Sequence, residues 1–571
     1  MELISILLLA VLNTGDIDKC AEAHVPNPIC ATVSHKSEPA LIVGITIDQM
    51  RADFLHRFED HFSDRGFKRL INDGHVCLNH HYGYSPTFTG PGHAAIFTGT
   101  TPSVNGIIAN DWYDRELKKT VYCASDPEAS GVGNDGIDGM DGTPLIYNTA
   151  GQMSPQRLLS NTIGDEMKLA TMGANAPKVI GISMKDRGAI LPAGHSADGA
   201  YWFYGKDKGH FISSTYYFRM LPEWVKDFNN SGLAEEYCKE GWTKALPDEA
   251  YSNCAPDNNP FEGSFNGEVR PTFPYNLKNL KAANGGYDVI KATPGGNSMV
   301  VDFALAAIDG EEMGKGGACD LLAMSFSATD YVGHRCGPHS QEMLDMYVRL
   351  DRDLERFFNK LDEKIGEGNW TVFVTSDHGA AAVPSQSSAM GMPTDYWNHG
   401  NLQDRLEVEL DIRFGPRDWV ENISNNAIYL NRSTVLSAPA APAIIRRFVA
   451  SLCVEEKGVL MAVAEEDLAS RASVDPIIEN LYRGHLQGKS GDILLVLNPG
   501  WMKYGRTGTT HGSPFPYDTH VPCLFYGNGI EQGVSTKRTY TRDIAPTISS
   551  LLSIPYPNGT TGSPIFDALS K

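Results

Sequence analysis

Three apolar-rich runs in this chain each close on an acid: LIVGITID on Asp48, LLAMSFSATD on Asp330 and TVFVTSD on Asp377. Runs of this kind suit strands buried on both faces, as in a parallel sheet covered by helices. Open α/β sheets collect their functional groups at the carboxyl ends of strands, so the three acids are expected around one crevice. Between the second and third runs, residues 341–365 place Met343, Tyr347, Leu350, Leu354, Phe357 and Leu361 at three- and four-residue intervals. That spacing predicts one apolar stripe on one helix, a packing surface and not a cofactor box. Strand, helix and strand over residues 320–376 predict a βαβ unit with a right-handed crossover. The fold class is α/β, a central mostly parallel sheet between helices with inserted subdomains.

The chain has 571 residues, enough for one large catalytic domain, expected over residues 38–571. Two stretches interrupt the α/β pattern and read as insertions, about 196–300, rich in aromatic and turn residues, and about 405–490, which carries the run SAPAAPA. Residues 123–145, rich in Gly and Asp, read as a surface loop. The run LISILLLAVL is too short to span a bilayer and predicts the apolar part of a signal peptide over residues 1–23, so the protein is expected to be secreted or periplasmic, with no transmembrane segment in the mature chain. Ten cysteines without a C-x-x-C pair disfavour a zinc ribbon or thioredoxin motif and permit disulfides; Cys238 with Cys254 is one candidate local bridge, and the connectivity is left open by the sequence. A formal charge of -21 excludes a general nucleic-acid-binding surface, and an anionic substrate would need locally placed positive charge.

The chemistry is concentrated in a few short motifs. DYVGHRCGPH sets Asp330 and His334 four apart on a Gly-containing loop, TSDHGAA sets Asp377 beside His378, and GTTHGSP supplies His511. Asp and neutral His are good zinc ligands, and the count suffices for two sets. The stretch YSPTFTGPGHAAIFTG places Thr89 before Gly-Pro-Gly-His. A helix is expected to begin at Pro91, whose φ and missing N–H suit a first turn. Thr89 would then sit at the helix mouth, as an N-cap or as a nucleophile facing orphan N–H groups. His93 and His520 carry no assigned role.

In chain order, Asp48, TFTGPGH, NDWYD, DYVGH, DHG and THG resemble the alkaline phosphatase superfamily, and SMKDRGAILPAGH, with Lys185 and Arg187, is similar to its PafA-type, phosphate-irrepressible branch. The resemblance runs from about residue 41 to TRDIAPTISSLLSIPYPNGTTG near the C-terminus. It implies two zinc ions per chain, one held by Asp330, His334 and His511, the other by Asp48, Asp377 and His378. It also implies Thr89 as the nucleophile on the second zinc, Asn110 as a hydrogen-bond donor to a phosphoryl oxygen, and Lys185 and Arg187 as the basic pair at the transferred group.

The physical roles agree with that assignment. Metal coordination is a recognised way to activate a hydroxyl, two ions can clamp the attacking and leaving oxygens, and phosphoryl transfer asks mainly for positioning and charge. The expected function is a phosphomonoesterase acting on small phosphorylated substrates through a phosphothreonine. A phosphodiesterase or nucleotide pyrophosphatase on the same two metals is the alternative, and the basic pair, matched to a dianionic monoester, separates them. A sulfatase is disfavoured because TFTGPG lacks the Cys/Ser-x-Pro-x-Arg pattern. A binding protein that lost catalysis would lack a ligand or the nucleophile, and all seven positions are filled.

Overall fold

Strand Leu41–Ile47 is buried along its whole length and pairs in parallel with Asp320–Phe326 on one side and Trp370–Thr375 on the other. The three apolar runs are therefore neighbouring strands of one sheet, and the first lies between the other two. The computed structural model describes residues 38–140, 145–171 and 175–570, so the signal peptide expected over residues 1–23, and Cys20 and Cys30, lie outside the described residues. Among those described, eleven strands form the central sheet. Beyond Asp320–Phe326 the parallel order continues through Val179–Ser183 and Gly199–Tyr204. Beyond Trp370–Thr375, Cys523–Gly527 runs antiparallel, followed by His75–His81 and the parallel edge strand Gly533–Tyr540. The sheet is mixed and mostly parallel.

Helix Gln341–Leu361 bears the apolar stripe read from its spacing, with Met343, Tyr347, Leu350, Leu354, Phe357 and Leu361 all buried. Ser340 caps it, its hydroxyl accepting from Met343 N at 3.1 Å. The stripe packs into the same core as Ile45 and Ile47, which covers one face of the sheet.

Several expectations change. Residues 196–300 do not stand wholly apart from the sheet, because Gly199–Tyr204 and His210–Ser214 extend it. The 123–145 stretch is not simply a surface loop: Cys123 and Val132 are buried, and Gly131–Gly133 pairs with the Ser213–Ser214 end of its neighbour. Cys238 and Cys254 form no bridge; Cys238 faces inward from helix Leu233–Glu240 and both are free thiols, as are all eight cysteines described. Residues 420–497 build a separate four-stranded antiparallel sheet with its own core of Leu406, Leu410, Trp419, Ile428, Ile445 and Ile493. Among the described residues no helix is long and apolar enough to cross a membrane.

Candidate active site

The crevice at the carboxyl ends of the central strands gathers six ligand-type side chains in two groups. Asp48 follows Leu41–Ile47 directly, and Asp377 and His378 follow Trp370–Thr375 after one residue. Their donor atoms converge within 4.8 Å, and those of Asp330, His334 and His511 do the same in a second group. Asp330 departs from expectation in its setting. The strand stops at Phe326, and Asp330 and His334 lie one turn apart on helix Ala328–Cys336, not on a loop. Residues four apart share a helix face, so the helix brings both side chains to one point. A glycine is tolerated inside it because Gln49 crosses at Gly333, where a Cβ would lie 1.9 Å from Gln49 Oε1.

The three histidines are held in the same way. Each Nδ1 lies within hydrogen-bond reach of a backbone carbonyl: Gly379 O for His378 at 3.0 Å, Thr509 O for His334 at 2.7 Å and Thr87 O for His511 at 2.7 Å. A carbonyl only accepts, so Nδ1–H donates and each neutral ring keeps its lone pair on Nε2. Those Nε2 atoms face the acids, His378 at 3.4 Å from Asp377 Oδ2 and His334 at 3.1 Å from Asp330 Oδ1. Burial drives His378 down to about 3 and His511 well below the usual imidazole range. Burial opposes the charge of His334 too, but Asp330 outweighs it and raises the pKa.

Asp48 Oδ1 and Asp377 Oδ2 are buried without hydrogen-bond partners. Burial, and then the charge of Asp48, hold the Asp377 carboxyl well above the usual carboxylate range. Lys185 joins the two groups, its ammonium 2.6 Å from Asp48 Oδ2 and 2.6 Å from Asp330 Oδ2. Burial works against that charge, but Asp330 and Asp48 outweigh it, so Lys185 stays protonated.

Thr89 is buried at the start of helix Thr89–Thr98, with Oγ1 3.4 Å from His378 Nε2 and 3.5 Å from Arg187 Nη2. The helix begins two residues earlier than expected, so Phe88 is its N-cap and Thr89 its first helical residue. The positive mouth is also more occupied than the sequence implied. Gly90 N–H donates to Asn110 Oδ1 at 2.7 Å, Pro91 has no N–H, and Gly92 N–H goes to Phe88 O at 2.9 Å. With its oxygen so engaged, Asn110 has its amino group left to donate. Arg187 Nη1 donates to Tyr122 OH at 3.0 Å, and that hydroxyl donates to Asp186.

Gln49 was missed by the sequence reading. Its backbone N–H donates to Asp377 Oδ1 at 3.1 Å and its side-chain amide to Asp330 Oδ1 at 2.6 Å, so one residue touches both groups. Its φ of 65° turns the chain directly after Asp48, and the polar side chain ending ITIDQ was the available signal. His93 now has a structural place: buried, it donates from Nδ1 to Thr89 O at 2.8 Å and meets Ser325 Oγ at Nε2. His520 lies elsewhere, stacked on His81 with ring centres 4.5 Å apart.

Comparisons with known proteins bear on this crevice. The family model for type I phosphodiesterase / nucleotide pyrophosphatase matches residues 42–520. Alkaline phosphatase PafA of Elizabethkingia meningoseptica is 40% identical over 536 residues, 93% of this chain and 95% of that one. A Myroides odoratus protein named calcium-transporting ATPase is also 40% identical, over 94% of this chain and 95% of its own. The crystal structure of wild-type PafA superposes with a TM-score of 0.87 at 40% identity, covering 94% of this chain and 99% of that one.

Proposed function

The chain belongs to the alkaline phosphatase superfamily, within the type I phosphodiesterase and nucleotide pyrophosphatase family, and from that premise we propose that it is a zinc-dependent phosphomonoesterase acting through a phosphothreonine at Thr89. It is an alkaline phosphatase by its relationship to PafA over nearly the full chain. The observation that carries the finer reading is the common tautomer of His334, His378 and His511. Three rings pinned at Nδ1 present three lone pairs to buried acids, two of whose oxygens lack partners. That is a donor set for divalent cations, with the second partners of the ligands already in place. Asp48, Asp377 and His378 with Thr89 would hold one ion, and Asp330, His334 and His511 the other. When bound, such ions supply Lewis acidity at the attacking and leaving oxygens and lower the pKa of a hydroxyl or water.

The chain's own groups do the rest. Thr89 Oγ attacks phosphorus in line with the ester oxygen; the Thr O–P bond forms, the ester P–O bond breaks, the threonine gives up its proton and the departing alcohol takes one. Water then attacks the phosphothreonine, releasing inorganic phosphate and restoring the hydroxyl. Lys185 and Arg187 bring positive charge to the dianion, and the Asn110 amino group donates to one of its oxygens, fixed groups that act where charge is transferred. The name of the Myroides relative is that of a cation pump; the Thr89 hydroxyl, 3.4 Å from the His378 imidazole and 3.5 Å from the Arg187 guanidinium, supports the phosphoryl transfer proposed here.

The deciding measurement compares kcat/KM for an aryl phosphate monoester and its matching diester. The wild type should prefer the monoester, and Lys185→Ala with Arg187→Ala should lose about 10²–10³-fold on the monoester and far less on the diester. A wild type that prefers the diester overturns the monoesterase reading. Export belongs to the same proposal, and the N-terminal sequence of chain recovered outside the cytoplasm tests it.

A further inference from the structure

A third group of ligand-type side chains lies outside the crevice, on the far end of the helix that carries Asp330 and His334. Glu262, Cys336 and Glu342 are all buried, and one donor atom from each lies within 4.8 Å of the others. Cys336 ends helix Ala328–Cys336, Glu342 opens helix Gln341–Leu361, and Glu262 comes from the loop that covers both. The loop is laced to them by Gly263 N–H to Arg335 O and Ala255 N–H to His339 O, each at 2.8 Å.

The two carboxyl groups are held alike. Asn259 Nδ2 donates to Glu262 Oε1 at 2.8 Å and Tyr275 OH donates to Glu342 Oε1, which orients each group through one oxygen. The second oxygen of each, Oε2, is buried without a hydrogen-bond partner. A carboxylate fixed through one oxygen with the other left over is the arrangement in which a neighbouring donor orients a metal ligand. Two such groups away from water repel each other, so a cation or a proton must lie between them. Arg335 offsets only part of that repulsion: its charge acts on both glutamates and it meets the Cys336 thiol, but its guanidinium sits 3.6 Å from the Phe265 ring centre, donates to Ala292 O and forms no ion pair with either glutamate among the described residues.

We propose that Glu262, Cys336 and Glu342 form a third metal site, separate from the crevice, that takes one divalent cation of borderline softness, Zn2+ being the fit, and ties the covering loop to the helix bearing Asp330. A thiolate beside two carboxylates disfavours Ca2+ and Mg2+, which take oxygen, and suits Zn2+, which accepts both. The ion would work through position, holding the C-terminal end of the helix whose first turn carries Asp330.

Sulfur reads this site alone, because the donors of both crevice groups are oxygen and nitrogen. Zinc-edge X-ray absorption on the full chain purified with Zn2+ should show sulfur at about 2.3 Å, near one sulfur for every three zincs. Cys336→Ser should abolish that sulfur signal and lower the zinc content by one ion per chain, and Glu262→Gln should lower the content likewise. Should Cys336→Ser fail to fold, Glu262→Gln and Glu342→Gln carry the same reading. Zinc-loaded wild type without sulfur scattering, or zinc content unmoved in Glu262→Gln, overturns the proposal and leaves a proton shared by the two glutamates. A sulfur signal retained in Asp330→Asn, where the crevice is crippled, supports this site whatever becomes of the two-metal reading; crevice zinc without sulfur overturns this site alone.

Discussion

The two ligand groups of the crevice differ in how they meet water. Asp48, Asp377 and His378 have fully buried side chains at the ends of adjacent strands, with Thr89 beside them. In the other group Asp330 and His511 are nearly buried, but His334 keeps 24% of its side chain exposed, on a helix and not on a strand. The buried group suits holding a nucleophile whose position must not drift. The more open one suits admitting the water that attacks in the second half of the reaction. On the proposed mechanism, one crevice would serve two half-reactions by placing its ligand-type side chains on elements of different accessibility.

Thr89→Ala attacks the buried side and should have the largest effect, a loss on the order of 10⁴-fold or more in kcat/KM, with no phosphorylated chain trapped on rapid acid quench. Near wild-type turnover would remove Thr89 from the mechanism. Next in size is a contrast between ligands. Asp377→Ala and His334→Ala should both cut activity, but excess Zn2+ should restore much of the loss only in His334→Ala, because removing Asp377 leaves Asp48 and His378 at a site closed to a replacement ligand. Equal rescue of both would erase the distinction between the buried and the open group.

Gln49→Ala is smaller and more selective. It removes the hydrogen bond to Asp330 and keeps the backbone one to Asp377, so zinc affinity should fall about 10–100-fold at the open group, with the buried group little changed. Competition with a chromophoric chelator reads the two affinities separately. The smallest effect belongs to Gly333→Ala, whose methyl would displace the Gln49 amide. Its effect should resemble that of Gln49→Ala, and the double variant should add nothing, as expected for two changes that break one contact. Full additivity would mean that the glycine serves some other purpose.

Much of this architecture was legible because hydrophobic runs report burial on both faces of a sheet. Asp48 and Asp377 followed from their strands, and the helix over residues 341–361 from its stripe. Asp330 was misplaced onto a loop because Gly333 reads as a breaker, and only a side chain arriving from residue 49 explains why a helix accepts it. The pairing that brings His511 against His378, ring centres 3.4 Å apart, depends on chain separated by more than a hundred residues and leaves no local trace. The helix mouth at Thr89 was over-read for a similar reason. Propensity cannot tell that Asn110, twenty residues on, takes the Gly90 N–H. The thiol pairing of Cys238 with Cys254 failed because nearness in sequence says nothing of which way a helix turns its faces.

Lys185 touches one carboxylate of each group at the same distance, and Gln49 also spans both. On the two-ion proposal, filling either group would redistribute the charge that this ammonium shares, and so alter the other's appetite for an ion. Thermodynamic linkage makes that influence mutual, each ion changing the other's affinity by one common factor. If the crevice takes two ions as proposed, its occupancy would be a cooperative property, and a half-loaded chain would be a distinct species whose abundance depends on that coupling as well as on the supply of metal.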